Sequence, residues 1–198
     1  MNKILKYQSI PFGPYVMKTK IPEYMRKRLL SDGKKQLKSY HKALAGHLHT
    51  QLIYDEKTTA WFYQESNFTG LPNINIELNA HNLWVNFMKP GDFNPVHTHT
   101  GDYSFVIFLD VPKKLKEEQD KFEGTSAPPG SLMFEFTQQA KPKWAETGQS
   151  VSPETGDMII FPALLQHWVV PFKSNCTRIS VSGNLEILNR KSLGPDFF

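Results

Sequence analysis

A single cysteine in 198 residues, Cys176, excludes an internal disulfide framework and fits a reducing compartment. No apolar run approaches the ~18 residues of a membrane-spanning helix. The opening stretch MNKILKYQSIPFGPY has no signal-peptide apolar core. A cytoplasmic protein with no membrane partner is the expectation. Internal repeats and low-complexity segments are absent as well, so the length fits one domain with at most an N-terminal helical extension. Charge of one sign is scarce, the formal net charge being only +4. Its clearest concentration, KTKIPEYMRKRLLSDGKKQLKSYHK (18–42), reads as a solvated helix face rather than a surface for nucleic acid or an acidic partner.

Apolar residues, at 39%, and charged residues, at 21%, are in the proportions of an ordinary globular chain. This length buries a sizeable core without a disulfide or a structural metal. Phe is abundant at 14, which suits a β-rich core with an apolar pocket. Leu29, Leu30, Leu37, Tyr40, Leu44 and Leu48 approximate a 3.6-residue stripe over 22–50, broken at SDG, which predicts two helices. His47 and His49 would point apart on such a helix, and with His41 they are read as surface or packing residues.

From residue 74 onward the texture is that of strands. INIELNAHNLWVNFMKPGDF alternates apolar and polar residues and breaks at a turn. YSFVIFLDVP, SLMFEF, GDMIIFP, QHWVVPF and TRISVSGNLEIL follow as short strands, with a charged and then Pro/Gly-rich connection at 113–130. Many short strands with no helix between them predict an antiparallel sandwich or barrel. The expected organisation is a single domain over 1–198, helical over about 1–70 and β over about 75–188.

His97 and His99 stand two apart at the start of one strand, in HTHTGDYSFVIF. Side chains at i and i+2 share a face with Cα atoms roughly 6–7 Å apart, so both could reach one ion, and imidazole suits Fe, Zn, Cu, Ni or Mn. Asp102 lies close enough to add a carboxylate if the chain turns at TG. Farther on, GDMIIFPALLQHWVVP ends a strand, turns through Pro162 and presents His167, which a small barrel can bring back to the same mouth. In TRISVSGN, Arg178 shares a face with Ser180 and Ser182, while Ile179 and Val181 occupy the other. An Arg inside an apolar barrel is costly unless it meets an anion, and its planar fork matches a carboxylate, to which Ser180 could add a hydroxyl.

HTHTGDYSFVIF, GDMIIFPALLQHWVVP and TRISVSGN, in this order, resemble the 2-oxoglutarate/Fe(II)-dependent oxygenases. The likeness is to the prolyl-hydroxylase-like type found in tailed bacteriophages and marine bacteria. It covers roughly 75–187, more weakly the helix-like YHKALAGHL segment, and implies a double-stranded β-helix, a jelly-roll or cupin-like barrel, with helices on one sheet. It implies His97 and His167 as iron ligands and Arg178 with Ser180 as the grip on the far carboxylate of 2-oxoglutarate. Where most of the superfamily has a carboxylate two residues after the first His, this chain has His99. A three-His site is the preferred reading, with Asp102 as the alternative third ligand.

The resemblance further implies Fe(II), 2-oxoglutarate and O2 as cofactors, and oxidation of a substrate with release of succinate and CO2, in the host cytoplasm if the gene is a phage's. Phe105, Phe108, Phe161 and Trp168 could wall the pocket, with Trp84, Asn86 and Ser104 near its mouth and the loops 113–130 and 138–153 over it. Two other readings share the fold: a cupin-type metal enzyme that does not use 2-oxoglutarate, and a non-catalytic jelly-roll module. Arg178 is the residue that separates the first of these from the oxygenase. The residues name neither the oligomeric state nor the substrate, which could be a protein, a small molecule or a nucleobase.

Overall fold

A computed structural model describes residues 13–66, 78–136 and 148–187, with the side chains of the middle segment from residue 82. In chain order its elements are β1 (Met17–Lys20), α1 (Glu23–Gly33), β2 (Thr50–Ile53), α2 (Glu56–Ser66), β3 (Leu78–Met88), β4 (Asn94–His97) and β5 (Tyr103–Asp110). After them come α3 (Lys113–Asp120), β6 (Leu132–Glu135), β7 (Gly148–Val151), β8 (Asp157–Pro162), β9 (Gln166–Val169) and β10 (Arg178–Ile187). The strands make two antiparallel sheets, a large one in the order β1-β8-β5-β10-β3-β2 and a small one in the order β4-β9-β6-β7. This is the double-stranded β-helix. Among the described residues no helix is long and apolar enough to cross a membrane.

The alternation of the strands divides the apolar residues between two cores. Leu83 and Val85 of β3, Phe105, Ile107 and Leu109 of β5, and Ile179 and Val181 of β10 face Met25 and Leu29 of α1 and Phe62 of α2. The opposite faces turn inward between the sheets. There Met88, Phe108, Ile159 and Phe161 pack against Leu132, Phe134 and Val169 of the small sheet. Burial on both faces is why β5 and β8 read as nearly continuous apolar runs.

Three expectations need correction. Residues 34–50 form no second helix, only a single 3-10 turn at His41–Ala43. Leu29 belongs to the helix-side core and Leu48 to the inner one, while Leu37 is 93% exposed. One helix could not serve both cores, so the segment crosses the end of the sheet and Tyr40 N–H donates to Gln51 O instead. The second N-terminal helix is α2. Nor are the strands free of helices between them, because the charged connection after β5 begins with α3. Lys, Leu, Glu and Gln favour the helix, Pro112 precedes its first turn, and Leu115 anchors α3 in the inner core. Finally, β1 and β2 are the edges of the large sheet, too short to leave a periodic signal. Part of the basic stretch is self-neutralised there, since Lys18 and Lys20 of β1 both reach the buried Asp157. Lysines on an edge strand also discourage pairing with another chain.

Candidate active site

The sheets hold the HTHTGD loop and the FPALL turn together before any side chain is considered. His97 at the end of β4 is paired with His167 of β9. His99, just past β4, donates its backbone N–H to Ala163 O at 2.8 Å, and Ala163 N–H donates to Asp102 O at 3.0 Å. Gly101 makes the turn with φ of 92°, and a Cβ there would stand 2.8 Å from Leu185 O. Only glycine fits such a position without strain.

Three imidazoles converge as a result. Among the described residues, His97, His99 and His167 are the one group of three potential metal ligands, with candidate atoms all within 4.8 Å of one another. The Nε2 atoms of His99 and His167 lie 3.1 Å apart, close to the roughly 3 Å expected of two nitrogens at right angles around one ion at about 2.1 Å. His97 Nδ1–H donates to Pro95 O at 2.7 Å and His167 Nδ1–H to Leu165 O at 2.9 Å. A carbonyl can only accept, so Nδ1 carries the proton in both rings and Nε2 keeps its lone pair for the site.

The rings are neutral at physiological pH. Burial, with its neighbours His167 and His97, pushes His99 down to about 3. Burial and then His97 push His167 down to about 4, and burial lowers His97. Neutral imidazole is the ligating form, so nothing here must lose charge before an ion binds. The unfolded chain binds protons at these positions near pH 6.5, whereas the folded, metal-free chain does not until a lower pH. The stability contributed by neutral His99 and His167 is therefore complete above about pH 6.5. It is lost progressively as pH falls below about 6.5, the loss being complete by about 4 for His167 and about 3 for His99. The urea midpoint of the metal-free protein is expected to drop between pH 7 and pH 4.5, and less steeply in His99→Gln.

Beside the imidazoles lies a cavity of about 210 Å³, walled by Phe105, Phe108, Phe161 and Trp84 and floored by polar groups of β3 and β10. Arg178 sits at its inner end, 3% exposed. Its Nη1 donates to Gly130 O at 2.7 Å, its Nε has no hydrogen-bond partner among the described residues, and its Cζ lies 5.3 Å from the Phe108 ring centre. Burial lowers its pKa from 12.5 to about 10, which leaves it charged at neutral pH. No ion pair among the described residues includes it. A buried guanidinium that lines a cavity and keeps an unused donor is complementary to a carboxylate, and three lone pairs beside it to a divalent ion. The residues fit both groups.

Of the residues singled out in the sequence, His97, His99, His167, Arg178 and Ser180 all line this one cavity, with Trp84, Asn86, Phe105, Phe108 and Phe161. Asp102 is placed differently: its carboxylate accepts the backbone N–H of Ile187 at 2.8 Å. Ser104 Oγ donates to Asn184 Oδ1 at 2.8 Å rather than lining the cavity, and Trp168 alternates away from it beside Met133. His41, His47 and His49 lie outside the cavity. His49 pairs with Asp92 at 2.5 Å, His47 stacks on Phe93, and His41 Nε2 bonds His49 O at 3.2 Å. Of the loops expected over the site, 113–130 reaches it through Gly130 O, and 138–147 lies outside the described residues. The sequence reading missed the wall formed by Ala43–Gly46 and Leu48. ALAGHL carried a signal in its small residues, because a Cβ at Gly46 would overlap Asn94 Oδ1 and Leu48 Cδ1.

Residues 82–184, more than half of the chain and spanning His97, His99, His167, Arg178 and Ser180, match the family model described as "Putative 2OG-Fe(II) oxygenase". No curated protein matches. Among solved structures, a Pseudomonas putida prolyl-4-hydroxylase aligns at 14% identity and TM-score 0.53, over 85% of this chain and 90% of its own. A Trichoplax adhaerens prolyl hydroxylase in complex with a hypoxia-inducible-factor peptide aligns at 11% and 0.56, over 92% and 87%. HygX from Streptomyces hygroscopicus, with nickel, 2-oxoglutarate and hygromycin B bound, aligns at 10% and 0.57, over 94% and 84%. At these identities the likeness is one of fold.

Proposed function

This chain belongs to the 2-oxoglutarate/Fe(II)-dependent oxygenase family, and from that premise we propose that it hydroxylates or otherwise oxidises a substrate while 2-oxoglutarate is converted to succinate and CO2. Fe(II), 2-oxoglutarate and O2 are the cofactor set of the family. The observation that carries the reading is the pairing, in one cavity, of three neutral imidazoles with a buried, still charged Arg178 that no carboxylate of the described residues satisfies.

In this reading His97, His99 and His167 hold the iron through Nε2, oriented by the carbonyls of Pro95 and Leu165. Arg178 and the hydroxyl of Ser180 hold the far carboxylate of 2-oxoglutarate. Bound iron supplies the chemistry that couples decarboxylation of the 2-oxo acid to activation of O2. The chain's own residues orient the 2-oxo acid, and the rings of Phe105, Phe108 and Phe161 keep water from the reacting groups. One atom of O2 goes to succinate and the other to the substrate in a hydroxylation, or to water in an oxidation that inserts no oxygen. Trp84, 6.0 Å from His99 between ring centres, stands where the cavity meets the outer cleft lined by Tyr40, Asn82 and Asn184. Through that cleft a substrate would approach. The structural neighbours hold molecules as unlike as a protein peptide and hygromycin B, so the fold by itself does not name a substrate.

The test is iron uptake followed by 2-oxoglutarate consumption. One Fe(II) per chain is expected, with succinate formed from 2-oxoglutarate in the presence of O2. A protein that takes up no stoichiometric iron contradicts the reading, and one that takes up iron yet ignores 2-oxoglutarate is a cupin-type metal enzyme of another kind.

A further inference from the structure

One row across the large sheet is polar where its neighbours are not. Gln51 of β2 is opposite Asn86 of β3, Asn86 is opposite Ser180 of β10, and Ser180 is opposite Phe108 of β5. The adjacent row, on the other face, is Leu52, Val85, Val181 and Ile107. Gln51, Asn86 and Ser180 are 2%, 5% and 3% exposed. Burying three polar side chains in line costs stability unless each finds a partner.

Their bonds have a direction. Gln51 Nε2 donates to Asn86 Oδ1 at 2.9 Å, which turns Asn86 Nδ2 toward β10, where Ser182 Oγ is 3.4 Å away. An amide nitrogen carries two hydrogens, so one remains for the cavity that Asn86 lines beside Ser180 and Arg178. The cavity floor is thus a set of donors: a guanidinium, hydroxyls and an amide N–H. Gln51 Oε1 has no partner among the described residues.

We infer that Asn86 is a further binding residue for the far carboxylate of 2-oxoglutarate, donating Nδ2–H beside Arg178 and Ser180, with Gln51 as the positioning residue that holds its amide in that orientation. The inference rests on the 2-oxoglutarate reading above. Asn86→Asp keeps the shape and replaces the donor with an acceptor of like charge to the ligand, so its effect on a carboxylate should be large.

The experiment titrates the anaerobic Fe(II) protein with two 2-oxo acids, 2-oxoglutarate and 2-oxopentanoate, which share the chelating head and differ in the far carboxylate. Asn86→Asp is expected to weaken 2-oxoglutarate by about 30-fold or more and 2-oxopentanoate by less than about threefold. Asn86→Ala, which adds no charge, should weaken only 2-oxoglutarate, by about tenfold, and Gln51→Leu by about threefold. If both Asn86 variants bind 2-oxoglutarate as wild type does, or lose both acids equally, Asn86 does not read the far carboxylate and the inference is wrong. Failure of the underlying reading looks different: wild type would then not distinguish the two acids, and Arg178→Ala would bind 2-oxoglutarate unchanged.

Discussion

Arg178→Met is expected to abolish 2-oxoglutarate binding while leaving the fold about as stable as before. Two charge-assisted hydrogen bonds in a fork contribute roughly 3–5 kcal/mol, so affinity should fall by about 10²–10⁴-fold. The same replacement costs the folded protein little. It leaves Gly130 O without its donor, a loss of about 1–3 kcal/mol, and it removes a buried charge lacking a counter-ion, whose burial costs several kcal/mol. Urea unfolding of the metal-free variant should therefore show a stability no more than about 1 kcal/mol below wild type. Arg178→Lys should fall between the two, since it keeps the charge and loses the planar fork. A large drop in stability with 2-oxoglutarate binding preserved would make Arg178 a structural residue.

His99→Ala should weaken Fe(II) binding by at least about 100-fold, because it removes a direct ligand and not merely a group that orients one. Asp102→Ala should leave Fe(II) affinity within about threefold and instead cost about 1–2 kcal/mol of stability, the penalty for an acceptor withdrawn from a backbone N–H. The structural reason is that the Asp102 carboxylate is bonded to Ile187 N–H while the three imidazoles converge without it. Competition with a chromophoric chelator, run beside urea melts, separates the two outcomes. The reverse pattern would establish Asp102 as the third ligand and His99 as a packing residue.

Much of the site could be read in advance because it lies on strands, where a period of two decides which side chains share a face. Arg178, Ser180 and Ser182 alternate against Ile179 and Val181, and the structure puts the first set in the cavity and the second under the helices. His97, His99 and His167 were legible for the same reason, as a strand end facing a turn that returns the chain. What alternation cannot supply is register. That Gln51 stands opposite Asn86, and Asn86 opposite Ser180, depends on pairing among three strands distant in sequence. The wall at 43–48 was hidden differently. Leu37, Tyr40, Leu44 and Leu48 mimic a helical stripe, but packing sends Leu48 to one core, leaves Leu37 in solvent, and puts a 3-10 turn between. In β1 and β2, four residues each are too few for any period to show. Helix α3 illustrates the opposite case, in which KKLKEEQD carries helical propensity but a density of charge that also suits a loop.

The most direct measurement is an anaerobic titration of the Fe(II)-loaded protein with 2-oxoglutarate, watching for the metal-to-ligand charge-transfer absorption of a chelated 2-oxo acid. The band should grow to saturation at one equivalent in the wild type. At the same ligand concentrations it should be absent in His167→Ala, which cannot hold the iron, and in Arg178→Met, which holds the iron but not the far carboxylate. Iron bound in full with no band at any 2-oxoglutarate concentration would contradict the assignment of this cavity to 2-oxoglutarate.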